Sequence, residues 1–70
     1  MPEFRNRVRH NLKVALAKAD MTPQELADAS GVSYDAIGKY LRGDMGPLLE
    51  TACKLAEALG CSPNDLCGIE

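Results

Sequence analysis

The sequence predicts a small all-α domain, and three observations carry that prediction. Ala and Leu supply eighteen of the seventy residues, whereas Val, Ile, Thr, Phe and Tyr together supply ten. No stretch sustains the period-two alternation of a half-buried strand. Helix-entry signals with a hydroxyl residue, and exit signals with a glycine, recur along the chain. Seventy residues and 7.5 kDa admit one domain, 1–70, and exclude a multidomain enzyme. A composition of 46% hydrophobic and 26% charged residues excludes intrinsic disorder.

The first helix is expected from Glu3 to Ala19. Phe4, Val8, Leu12, Ala15, Leu16 and Ala19 recur there at three- and four-residue intervals as an inward stripe, with Arg5, Arg9 and Lys13 on another face. Thr22-Pro23-Gln24-Glu25 opens the second helix as a capping box with Pro at the first helical position, and Met21 can pack on Leu26 as a staple. Gly31 ends it in a left-handed conformation. Ser33 caps a third helix, stapled by Val32 and Ile37, that stops at Gly43 after Arg42. Asp44 to Pro47 reads as a loop. A fourth helix starts near Pro47 and runs to Leu59, burying Leu48, Leu49, Ala52, Leu55, Ala56 and Leu59 before Gly60. Ser62-Pro63-Asn64-Asp65 repeats the entry signal for a short fifth helix, with Cys61 and Leu66 as its staple.

The net charge of −2 argues against indiscriminate coating of nucleic acid, yet it hides an asymmetry: residues 1–20 carry +3 and the remainder −5. Such a chain binds a polyanion only where its few cations converge on one face. No apolar stretch approaches the ~20 residues that cross a bilayer, and Arg5, Arg7, Arg9 and Lys13 interrupt any signal-peptide core. Cys53, Cys61 and Cys67 match no zinc or redox spacing and point to a reducing cytosol. Cys53, between Ala52 and Ala56, reads as a small hydrophobe rather than a metal ligand. His10 has no Cys or His partner at ligand spacing. No metal or other cofactor is expected. Ser30, Ser33 and Ser62 each have a capping or turn role, and there is no glycine-rich phosphate loop, so no enzyme is expected.

The informative spacing lies between the second and third helices. Two helices crossing steeply over a short turn need a small residue at the crossing and one tolerant of positive φ in the turn, and Ala27 and Gly31 meet those needs. Val32, Ile37 and either Tyr40 or Leu41 then anchor the third helix, leaving Tyr34, Asp35, Gly38, Lys39 and Arg42 outward. The string Thr22-Pro23-Gln24-Glu25-Leu26-Ala27-Asp28-Ala29-Ser30-Gly31-Val32-Ser33, followed by Ile37, Lys39, Arg42 and Gly43, resembles the phage-repressor and Cro-type helix-turn-helix (XRE) family over residues 4–67.

That resemblance implies a compact five-helix, lambda-repressor-like domain. Its third helix would lie in the major groove of a double-stranded DNA operator, its second bracing against the backbone. Carried over by position, Tyr34, Asp35 and Lys39 read bases, while Thr22, Gln24, Ser33 and Arg42 sit near phosphates. It implies a transcriptional repressor, cytoplasmic in a bacterium or phage-encoded, acting as a homodimer on DNA through the fifth helix and chain end around Leu66 and Ile69. No small-molecule effector site is visible.

The sequence also departs from the family. Pro23 stands where a DNA-contacting Gln is common. Leu16 and Leu41 replace a frequent Arg–Glu pair, an exchange that leaves no unpaired charge and predicts that the two leucines touch. Ser30 stands at a usually apolar position, where its hydroxyl is expected to fold back on the preceding turn.

Several residues keep two readings. Asp35 either accepts from a cytosine amino group or is a first-turn acid paired with Lys39. Tyr34 either touches DNA or is a surface aromatic. Gly38 allows close approach either of a duplex or of another helix. Arg5, Arg9 and Lys13 either flank the operator or form a solvated face. The acidic balance, Pro23 and Asp35 also fit a protein-interaction adaptor that keeps the fold without binding DNA.

Overall fold

A computed structural model describes residues 2–67. Among them are five helices and no strand: α1 Pro2–Ala19, α2 Pro23–Ser30, α3 Tyr34–Arg42, α4 Leu49–Leu59 and α5 Pro63–Cys67. The all-α expectation and the order of elements hold.

The caps form as the sequence dictates. Thr22 Oγ1 accepts the Glu25 N–H at 3.1 Å while Glu25 Oε1 accepts the Thr22 N–H at 2.9 Å, closing the box behind Pro23. Ser33 Oγ accepts the Ala36 N–H at 3.1 Å, and Ser62 and Asp65 bond reciprocally at 3.2 and 3.0 Å. Gly31, at φ 76°, ends α2 in the left-handed region. After α1 there is no glycine, and Asp20 takes that conformation instead, at φ 54°. Asp is among the few side chains that enter this region readily, which the sequence reading did not anticipate.

Every helix contributes to one apolar core. Leu12 and Leu16 of α1 meet Leu26 and Ala27 of α2, Ile37 and Tyr40 of α3, Leu55 and Ala56 of α4, and Leu66 of α5. No polar or charged residue is buried among the described residues. Leu16 belongs to this core and Leu41 packs against it, so both replacements for the family's charged pair stand in one apolar environment. Tyr40 is buried and Leu41 half-buried, so α3 is anchored by both of the alternatives the sequence offered.

Four expectations need correction. The fourth helix begins at Leu49, with Leu48 as an extended N-cap (φ −69°, ψ 160°) whose side chain makes no capping bond. Leu48 and Leu49 are 78% and 72% exposed rather than buried. Leu48 has left the helical period, and the side of the first turn that carries Leu49 faces solvent while Ala52 on its other side and Pro47 just before them are buried. Cys53 is exposed, because it lies one position beyond the inward stripe of Ala52, Leu55 and Ala56, and Cys67 is the buried thiol. The Ser30 hydroxyl bonds forward, accepting the Val32 N–H at 3.2 Å, because α2 ends there and leaves that donor free. Leu66 is 1% exposed inside its own chain, so it offers a second copy no surface. Ile69 lies outside the described residues.

Candidate nucleic-acid interface

The outer face of α3 is built by its inner one. Ile37 and Tyr40 are buried, and their phase turns Tyr34, Asp35, Lys39 and Arg42 to solvent. Residues 34, 38 and 42 form one i, i+4 row and residues 35 and 39 its neighbour. Tyr34 is 56% exposed, a large aromatic kept out of the core. Thr22 and Gln24 are exposed at the start of α2, and Ser33 is exposed at the entry to α3. The Thr22 and Ser33 hydroxyls each accept a backbone N–H, and each keeps its own O–H to donate to an anion. The Gln24 amide donates to Asp28 Oδ1 at 3.2 Å.

Both cations of α3 have acidic partners. Lys39 Nζ lies 3.4 Å from Asp35 Oδ2, the one-turn pairing that the sequence offered as one account of Asp35. Arg42 Nε donates to Asp44 Oδ2 at 2.9 Å. These pairs are solvent-exposed, where an ion pair contributes about 0–1 kcal/mol, so an incoming phosphate or base edge competes with them readily.

From the sequence Asp44 reads only as a loop acid that interrupts the positive face, not as a residue that contacts DNA. The signal for it is local: left-handed Gly43, at φ 78°, reverses the chain after Arg42 and returns the next side chain to it. The same turn collects cations from α1. Arg5 Nη1 donates to the Asp44 carbonyl at 3.1 Å, and Arg9 Cδ stands 3.4 Å from where a Cβ on Gly43 would be. Arg5 and Arg9 therefore gather with Arg42 at the end of α3, while Lys13 is exposed elsewhere along α1 with no contact tying it to this turn.

Gly38 has no other helix against it. A Cβ there would meet only the tip of Arg42, with Nη1 at 3.3 Å, so helix packing does not explain this glycine. An open groove elsewhere, lined by Asn11, Val14, Lys18, Leu59, Cys61 and Asp65 among others, includes no residue of α2 or α3 and is separate from this face. Among the described residues no group of three metal-ligating side chains occurs. No helix among them is long and apolar enough to cross a membrane.

No curated protein and no solved structure matches the chain. A family model described as helix-turn-helix matches residues 12–66, from the second half of α1 into α5. The match covers most of the chain and all of α2, the Gly31 turn and α3. The chain therefore belongs to the XRE and Cro-type helix-turn-helix family of DNA-binding transcription regulators.

Proposed function

We propose that this chain binds a specific double-stranded DNA operator with α3 in the major groove and represses transcription by occupying the promoter. The observation that carries the reading is the outer face of α3. It presents Tyr34, Asp35, Lys39 and Arg42 over a side-chain-free Gly38, while Ile37 and Tyr40 hold the opposite face rigidly in the core. Tyr34, Asp35 and Lys39 contact base edges, Thr22, Gln24 and Ser33 contact phosphates where α2 and α3 begin, and Arg42 contacts a phosphate where α3 ends. Arg5 and Arg9 extend the cationic surface at the far end of α3. Two copies act together on half-sites about one helical turn, roughly 34 Å, apart. Such a regulator works in a bacterial or phage-infected cytoplasm, at the nucleoid.

Selection from a random duplex pool at about 0.1 M salt tests this, because phosphate attraction at that ionic strength does not swamp base readout. Recovery of a palindrome with half-sites a turn apart supports the full reading, and a single half-site supports a monomeric reader. No enrichment by folded protein overturns it. That last outcome favours the second reading, a protein-interaction adaptor, for which the specific observation is that Lys39 and Arg42 are each paired with an acid.

A further inference from the structure

The Arg42 side chain does not reach off the end of α3. It folds back over the helix, with Nη1 3.3 Å from the place a Cβ on Gly38 would occupy, one turn earlier. Its Nε is held at 2.9 Å by Asp44 Oδ2. Gly38 is thus the seat of the guanidinium and Asp44 its brace. Together they set the planar fork on the outer face of α3, in the row that begins with Tyr34.

We propose that Arg42 is a specificity-determining residue that reads a guanine in the major groove, with Asp44 and Gly38 as positioning residues. The proposal rests on the DNA-binding reading above and changes the role of Arg42 within it, from phosphate anchor to base reader. With Nε occupied by Asp44, the two terminal nitrogens remain free and present parallel N–H groups, the geometry that matches guanine O6 and N7. The glycine, which lowers helix propensity and has no packing role among the described residues, is accounted for by the space it leaves under the fork.

The test measures binding of wild type, Arg42→Lys, Asp44→Asn and Gly38→Ala to the recovered duplex and to its single-base variants. Folding of each is checked by circular dichroism and thermal melting. The wild type is expected to prefer guanine at one position by about 5- to 150-fold, the range a good bidentate contact provides. Arg42→Lys removes that preference and leaves the other positions unchanged, since an ammonium cannot form the fork. Asp44→Asn and Gly38→Ala weaken the preference at the same position, the second while raising the melting temperature. Uniform weakening across all sequences in Arg42→Lys, or an unchanged preference in Asp44→Asn, overturns the proposal and returns Arg42 to the phosphates. A wild type that recovers no sequence overturns it together with the DNA-binding reading, so the wild-type arm separates the two failures.

Discussion

Gly46 shows how much one absent side chain sets in this domain. A Cβ there would stand 2.7 Å from Cε2 of Phe4, so the ring of α1 lies directly on the backbone of the loop before α4. Gly46→Ala is expected to destabilise the fold by about 1–3 kcal/mol through overpacking. In a Phe4→Ala background the same change is expected to be nearly neutral. Urea denaturation of the four proteins checks this, and additive losses would contradict it. Asp20 offers the opposite case. It holds φ 54°, which glycine adopts without strain, so Asp20→Gly is expected to raise stability by up to about 1 kcal/mol in the same assay.

At the scale of elements, the start of α4 separates what is buried from what only looks buried. Leu48→Ala and Leu49→Ala are each expected to change stability by less than about 0.5 kcal/mol, because both side chains already face water and neither change adds a capping group. Leu26→Ala, with a side chain fully enclosed between the helices, is expected to lose about 2–5 kcal/mol. Chemical denaturation ranks them, and a large loss at Leu48 would mean that the first turn of α4 is covered after all. The contrast also marks what was legible in the sequence. Thr22, Ser33, Ser62, Gly31 and Gly43 act within their own turns, so their residue types alone place the helix ends. Periodicity gave the phase of α4 but not where its neighbours stop, and Leu48 and Leu49 were therefore assigned to a core that does not extend to them. The outward face of α3 followed from the positions of Ile37 and Tyr40. The Arg42–Asp44 bond and the empty surroundings of Gly38 depend on how side chains fold across a turn, which spacing does not encode.

For the molecule as a whole, two conditions report on the account. Burial, reinforced by the nearby Cys53 thiol, pushes the Cys67 pKa above the ordinary value of 9.0. A thiol held neutral in the fold contributes stability below that value, and the contribution is lost as pH rises past it, because the unfolded chain ionises first. Stability is thus expected to fall above pH about 9, and less steeply in Cys67→Ala. Denaturation midpoints across that range check it, and equal slopes for the two proteins would remove the contribution. Binding to DNA is expected to weaken with salt by about 0.9 log units per log unit for each phosphate neutralised. If every one of Arg5, Arg9, Lys39 and Arg42 neutralised a phosphate, the slope would be about −3.6 per copy. A base-reading Arg42 makes it shallower.

Whether α3 is the surface that meets DNA is checked by following the backbone amide resonances of the labelled protein as the selected duplex is added. The expected shifts are concentrated on Thr22 to Gln24 and on Ser33 to Asp44, extending to Arg5 and Arg9, with α5 little changed. Shifts confined to the exposed start of α4 and absent from α3 would contradict it.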